Sequence, residues 1–508
     1  MASTDDAITA ASELLGVALT EAERRQLPAT LARHRDNAVA RRGMAFPYDL
    51  APAETFDPRL PGWMAPASEA WRPSLPDPLP LPESDADIAF APMLTLAGWL
   101  RSGALTSERL VAIYLDRIAR HDPVLRAFAT VTADLAMAQA RAADAAIARG
   151  AWRGPLHGVP YGCKDILDTA GIETAWGAEP FQGRVPATDA TAVARMRAAG
   201  AVLLGKTSVG ALAMGDVWYD GRTRTPWDTA RGASGSSAGS CAAVAAGLCG
   251  FALGTETMGS IVEPSARCGT VGLRPTFGRV PRTGAMPLVS SLDKIGPIAR
   301  SVADAAPILA ALAGPDGIDG SVIDAPLGFD PSRGIAAVRV GFFPGDGTPD
   351  IGFDLVPLTR LDLPYDSLLA LLDAECAAVF EQLTLTGADD RLTRQDEAAW
   401  PNQFRAARFL SAVDHVQLRR FRRQVMAVMA EWFETVEVIV GPAAHGPLQV
   451  ISNFTGHPCI VVPVGVGPDG MPETVCVWGR LFDEGAVLRA ALAIEHCAGF
   501  AARPNGFG

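Results

Sequence analysis

Residues 232–248 read Gly232-Ala233-Ser234-Gly235-Ser236-Ser237-Ala238-Gly239-Ser240-Cys241-Ala242-Ala243-Val244-Ala245-Ala246-Gly247-Leu248, a glycine- and serine-rich run that passes unbroken into small apolar side chains. A flexible linker shares the first half of that pattern but not the second. A helix from about Ala238 to Leu248, built of alanine, cysteine and glycine, packs closely against neighbours and is predicted to be interior. Phe251 to Gly254 then reads as a brief buried strand that delivers Thr255-Glu256-Thr257-Met258-Gly259-Ser260 into a turn. Upstream, Gly158-Val159-Pro160-Tyr161-Gly162-Cys163-Lys164-Asp165 reads as a strand leading to Lys164.

Working outward, helix and strand patterns alternate. Thr106 or Ser107 caps a predicted helix whose Leu110, Val111, Tyr114, Leu115 and Ile118 share one face. Phe128–Val131 reads as a strand, Asp134–Arg149 as an alanine-rich helix, and about Asp189–Ala199 as a helix stopped by Gly200. Ala201–Leu204, Ile439–Pro442, Cys459–Val464 and Thr474–Val477 read as further strands, and Ala486–His496 as a final helix. Such alternation predicts a layered α/β sheet. Residues 1–72 read as a helical extension with two helical stretches, and 73–89 as a proline-rich connector around Pro73–Pro82. Residues 90–508 read as the main body. Within that body, residues from about 315 to 435 are more polar and irregular, with an amphipathic helix near Leu410–Trp432, and are taken as a periphery flanking the substrate entrance.

Composition limits the function classes. The chain has 508 residues, 49% of them hydrophobic and 20% charged, which suits a large buried core. A net charge of −12 disfavours nucleic acid or an anionic membrane as partner. No uninterrupted apolar run of about 18 residues predicts a membrane span. The acidic start Met1-Ala2-Ser3-Thr4-Asp5-Asp6 lacks the features of a secretory signal. Eight cysteines are scattered with no C-x-x-C pair and most sit in apolar runs, as expected for reduced structural thiols in the cytoplasm. No zinc spacing is present.

Two motifs compete with the Lys164 and Ser236 region. Gly200-Ala201-Val202-Leu203-Leu204-Gly205-Lys206-Thr207 fits the Walker A expression, but its middle reads as the strand itself, so Lys206 is assigned a structural place. Gly235-Ser236-Ser237-Ala238-Gly239 fits the G-x-S-x-G elbow, which needs a strand directly before it. Thr229–Ala233 is poor strand material. Of the histidines such an elbow would need, His445 is available and His457 reads as a turn residue.

The glycine/serine block from Gly232 to Pro275, together with Lys164, resembles the amidase signature family of serine hydrolases. The resemblance runs from about Leu96 to Ala313 and resumes from Asn453. It implies a large, mixed, twisted central sheet with helices on both faces. It also implies a Ser-Ser-Lys triad in which Ser260 is the acylated nucleophile, Ser236 the bridging serine after a cis peptide bond, and Lys164 the base. The lysine amine must be neutral to take a proton, and burial favours that form. Backbone N–H groups of Thr257, Met258, Gly259 and Ser260 are the expected oxyanion donors. Met214, Gly215, Trp218 and Ser237 are the expected substrate contacts, around an apolar, aryl-accepting pocket. The implied substrate is a small-molecule amide, ester or carbamate, with no metal, nucleotide or flavin. The alternative is the glutamine-hydrolysing subunit of a tRNA-dependent amidotransferase, which the acidic chain and the N-terminal extension disfavour. Family members often dimerise, and the N-terminal helices offer a contact for a homodimer.

Three positions depart from the family pattern. Met258 stands where glycine is common and is expected to hold negative φ and line the pocket. Val262 replaces a common arginine, so any ion pair there is rebuilt, with Glu256 and another cation as one solution. Ser234 and Ala238 replace glycines.

Overall fold

The computed structural model describes residues 4–67, 71, 75, 79–332, 338–346, 351–352, 354–443 and 446–508. Eleven strands form one sheet: β1 (Phe128–Val131), β2 (Pro160–Lys164), β3 (Val202–Thr207), β4 (Phe251–Glu256), β5 (Val271–Arg274), β6 (Lys294–Ala299), β7 (Val340–Phe342), β8 (Leu355–Pro357), β9 (Val438–Pro442), β10 (Cys459–Val466) and β11 (Pro472–Gly479). Their spatial order is β1-β3-β2-β4-β6-β5-β10-β11-β9-β7-β8. The pairs β2–β3, β2–β4, β7–β8 and β7–β9 are parallel and the rest antiparallel, so the sheet is mixed and helices cover both faces.

Why the strands read as unbroken apolar runs is visible in the packing. Side chains alternate between faces along a strand. Val438 and Val440 enter one core and Ile439 the other; Ile460 and Val462 are separated from Cys459 and Val461 in the same way. On β11, Val475 and Val477 face one core, Cys476 and Trp478 the other. With both faces buried, no polar alternation survives to mark the strand.

This topology sets the site. Parallel strands β2, β3 and β4 lie side by side, so Lys164, Thr207 and Glu256 finish at one end of the sheet. Antiparallel β6 starts at the same end, with Lys294 opposite Glu256. The small-residue helix Ala238–Ala245 is wholly buried against these strands. Gly239 shows why bulk is excluded, since a Cβ there would lie 2.4 Å from the Ser208 backbone nitrogen.

Several expectations need correction. The N-terminal part holds three helices, Thr4–Leu14, Glu21–Gln26 and Pro28–Arg42, because Thr20 forms a capping box with Glu23 and Pro28 starts a separate helix. Residues 228–232 do form a strand, but it pairs with Arg224–Thr225 in a two-stranded ribbon apart from the central sheet. The strand beginning at Phe251 continues through Thr255 and Glu256, because β6 supplies antiparallel partners that the local sequence does not reveal. The segment 315–435 is not purely peripheral: it contributes β7 and β8 at the sheet edge and part of the second core, including Tyr365, Leu368 and Phe404. Of the Pro73–Pro82 connector, residues 73, 74 and 76–78 lie outside the described residues, as does His445.

The N-terminal region is fastened to the body by rings and ions. Tyr48 packs edge-on to Trp176 at 5.4 Å, Phe56 meets Phe277 at 5.2 Å, and Arg41 forms two bonds with Glu381. The Arg422 guanidinium lies 3.4 Å from the centre of the Phe56 ring, a cation–π contact.

Candidate active site

Lys164 ends β2 with no solvent exposure. Its Nζ lies 2.9 Å from Ser236 Oγ, 2.9 Å from Ser237 Oγ and 2.8 Å from Thr255 Oγ1, with the Thr255 carbonyl at 3.2 Å. Every one of these partners is neutral. Burial therefore dominates and brings the ammonium down from its ordinary 10.5 to about 7, against weaker upward pulls from Cys241, Glu256 and Asp293. An amine so placed exists substantially as the free base near neutral pH.

Ser236 follows a cis peptide bond from Gly235, at the position the sequence pattern implied. Gly235 packs directly on the Gly215 backbone, where a side chain would collide with the Gly215 carbonyl. Ser237 lies one residue on and is fully buried. Its hydroxyl donates to the Thr255 carbonyl at 3.1 Å and accepts from the Thr255 N–H at 3.2 Å. Expected against substrate, Ser237 instead couples Lys164 to β4.

Ser260 sits in the turn between β4 and the helix Val262–Cys268. Its carbonyl accepts from the Ser237 N–H at 3.1 Å, which ties the two serine loops together. Among the described residues, the Ser260 hydroxyl has no hydrogen-bond partner, so the Lys164–Ser236 link is formed and a Ser236–Ser260 link is not. The N–H groups of Met258, Gly259 and Ser260 likewise make no hydrogen bond among the described residues. Gly259 has φ +80, a conformation glycine adopts without steric cost, and its carbonyl accepts the Glu263 N–H at 2.8 Å. Met258 has no positive φ and packs partly buried against the second core, so the departure from glycine is accommodated without left-handed backbone. Thr257 donates through Oγ1 to Asp293 at 2.6 Å.

Beneath the turn lies a buried ion pair. Glu256 and Arg274 are both inaccessible and 2.8 Å apart. Glu256 also accepts from the N–H groups of Ile261 and Val262 at 2.9 and 3.0 Å, and from the Asn453 amide at 3.0 Å. Burial acts to raise its pKa, but Arg274, Lys294 and these donors outweigh burial and hold it at about 2. Arg274 continues to Ser452 Oγ and the His457 carbonyl. The cation expected to replace the one lost at Val262 is thus Arg274, from β5.

The expected substrate contacts are placed unevenly. Met214 is half-buried beside the second core and Gly215 has φ +64. Trp218 is buried, rings edge-on with Tyr219 at 4.8 Å, and its Nε1 has no partner among the described residues. The competing motifs resolve as structure. Lys206 lies within β3, bound to the Leu167 carbonyl and Thr174 Oγ1, 3.6 Å from Asp165. His457 is buried, pushed down to about 3 by burial, with Nδ1 2.8 Å from Thr455 Oγ1. Burial pushes the Cys163 thiol up to about 11, which leaves it an inert core group. Among the described residues no cluster of histidine, cysteine and carboxylate side chains is arranged to hold a metal.

Sequence reasoning missed Thr255, Arg274, Gln449 and Asn453. Arg274 stands in the recognised Gly272-Leu273-Arg274-Pro275 run, but only strand pairing brings it to Glu256. Nothing in the local sequence marks Thr255 as a lysine partner.

A profile of the family named Amidase matches residues 109–352. A glutamyl-tRNA(Gln) amidotransferase subunit of Oleidesulfovibrio alaskensis is 33% identical over 478 residues, which cover 81% of this chain and 98% of the relative. The chain belongs to the amidase signature family. The native peptide amidase of Stenotrophomonas maltophilia superposes with a TM-score of 0.72 at 29% identity, over 82% of this chain and 98% of that one. A chain from a complex described for the origins of an s-triazine catabolic enzyme gives a TM-score of 0.75 at 28% identity, over 81% and 99%. This family assignment agrees with the mixed sheet and its covering helices described above.

Proposed function

We propose that the chain hydrolyses the C–N bond of a small amide through an acyl-enzyme on Ser260. Esters and carbamates are chemically within reach of the same site. The observation that carries the proposal is the contact between Lys164 and Ser236, made by a lysine whose neighbours are all uncharged.

In the cycle, free-base Lys164 takes the proton of Ser236, which in turn takes the proton of Ser260 as Ser260 Oγ turns toward it. Ser260 Oγ then bonds to the carbonyl carbon. The resulting oxyanion faces the N–H groups of Thr257, Met258, Gly259 and Ser260, each such donor contributing on the order of 3 kcal/mol. The C–N bond breaks as the proton returns through Ser236 to the leaving amine. Water attacks the acyl ester, gives its proton to the same relay, and restores Ser260. Met214, Gly215 and Trp218 are proposed to flank the acyl part. Ser260→Ala should remove acyl-enzyme formation, seen by mass spectrometry, and lower kcat by roughly 10⁴-fold or more. Near-normal turnover in that variant would reject the nucleophile.

A second reading has its own support: similarity over 81% of the chain to the amidotransferase protein. In that case glutamine is the amide donor and partner proteins are required. Ammonia release from glutamine, rising on addition of such partners, would select it. Release from simple amides by the isolated chain would select hydrolysis.

A further inference from the structure

Ser236 lies on a loop whose place against the Ser260 turn is set from both sides. On the C-terminal side, the Ser237 N–H donates to the Ser260 carbonyl at 3.1 Å. On the N-terminal side, the Ser234 hydroxyl shares a hydrogen bond with the Glu263 carboxyl. Glu263 lies in the first turn of the helix Val262–Cys268, and its N–H donates to the Gly259 carbonyl at 2.8 Å. Its carboxyl folds back along the same turn, since a Cβ placed on Gly259 would lie 2.5 Å from Glu263 Oε1. The other neighbour of that position is Gln449, whose Nε2 would be 2.9 Å away and lies 3.4 Å from Glu256 Oε1. Glu256 is ionised and can only accept, so the amide must present nitrogen to it.

Ser234 is an unusual residue for its backbone. It has φ +61, a left-handed conformation that is costly for any side chain with a Cβ and that glycine adopts freely. What serine adds over glycine here is its hydroxyl. Its N–H is held separately by Asp216 Oδ2 at 3.2 Å, and Asp216 is balanced by Arg222 at 3.3 Å. Glu263 is partly buried, with Glu256 as its like-charged neighbour and Arg267 as its opposite one. Burial first, and Glu256 second, push its carboxyl up to about 7. Both protonation forms are therefore present near neutral pH. The bond to Ser234 survives either, because a hydroxyl donates to a carboxylate and accepts from a carboxylic acid.

We propose that Glu263 is a positioning residue: it holds Ser234 through its carboxyl and Gly259 through its backbone, and so fixes how closely the Ser236 loop approaches the Ser260 turn. Ser234, standing where the family has glycine, is the other half of that tie. The Lys164–Ser236 link is already formed and the Ser236–Ser260 link is not, so the relay depends on this approach. A small slackening between the two segments is then costly to the rate. The inference rests on the hydrolase reading above and adds a residue that acts through Ser234 and Gly259.

The test is a double-mutant cycle, read as the rate at which a fluorophosphonate probe labels Ser260. Ser234→Gly suits the backbone and removes the hydroxyl; Glu263→Ala removes the carboxyl. Each should slow the maximal labelling rate about tenfold with little change in probe affinity, and the double variant should be no slower than either alone. Glu263→Gln, which can still bond to Ser234, should label within about threefold of the unaltered protein. Losses that multiply in the double variant, full rates in both single variants, or a Glu263→Gln loss as large as that of Glu263→Ala would overturn the proposal. Amide hydrogen exchange supplies the second measurement. Segments 232–237 and 257–263 should exchange several-fold faster together in Ser234→Gly and Glu263→Ala, and at the ordinary rate in Glu263→Gln. Unchanged exchange in every variant sinks the tie. If the unaltered protein shows no labelling at Ser260, the hydrolase reading fails, while the exchange comparison still decides whether Glu263 holds the two segments together.

Discussion

Lys164 and Lys206 make an instructive pair. They lie on adjacent parallel strands, β2 and β3, and both are completely buried. Both are preceded by glycine-rich sequence, and Lys206 even completes a Walker A expression. Their surroundings differ in one respect: Lys206 has a carboxylate, Asp165, at 3.6 Å, whereas Lys164 touches only hydroxyls and a carbonyl. Burial alone does not mark a base. A buried amine becomes one when nothing nearby compensates its charge.

The largest expected effect separates the two directly. Lys164→Met should lower kcat by roughly 10³ to 10⁴-fold, measured by amide turnover, because the proposed relay loses its proton acceptor. Lys206→Met should leave the Asp165 carboxylate buried without its partner and cost about 3–5 kcal/mol of stability in urea unfolding. The kcat of the protein that remains folded should change little. Comparable loss of kcat in both variants would erase the distinction.

The pH dependence sharpens it. With Lys164 at about 7, kcat/KM should climb about tenfold per pH unit below 7 and level off above it, as free base accumulates. Stability carries the same signature. Between about 7 and the unfolded value of 10.5, the unfolded chain binds a proton that the folded chain does not. Stability should therefore rise with pH in that window, by at most about 1.4 kcal/mol per unit. Chemical denaturation of Lys164→Met should lack that rise.

Breaking the buried ion pair tests what holds the turn that carries Ser260. Glu256→Gln leaves Arg274 buried opposite a neutral group and should destabilise by about 3 kcal/mol, read as a lower urea midpoint. The smallest effect is expected at the lysine's other partners. Thr255→Val removes the 2.8 Å contact and should lower kcat about tenfold at pH 7, with the fold intact by circular dichroism.

Much of this molecule is legible along the chain. Local patterning bounds Phe128–Val131 to the residue and finds the strands at Pro160, Val438, Cys459 and Pro472 within a few positions each. It places the small-residue helix at Ala238 inside the protein, while the resemblance to the amidase signature family is what groups Lys164, Ser236 and Ser260. What it misses is partnership at a distance. Residues 228–232 lack strand propensity and form a strand only because Arg224–Thr225 lies alongside. Ser237 looks like a substrate contact from its place in the motif; only the fold shows its hydroxyl turned to Lys164 and β4.

The chain itself determined the α/β alternation and the buried small-residue helix, since these depend on side-chain size and local periodicity; one lysine and two serines were picked out by the resemblance of their motifs to the amidase signature family. Tertiary structure decided the lysine's state, the Glu256–Arg274 pair and the orientation of Gln449. Charge and hydrogen bonding depend on which groups meet, and the groups that meet here come from strands and helices up to 197 residues apart.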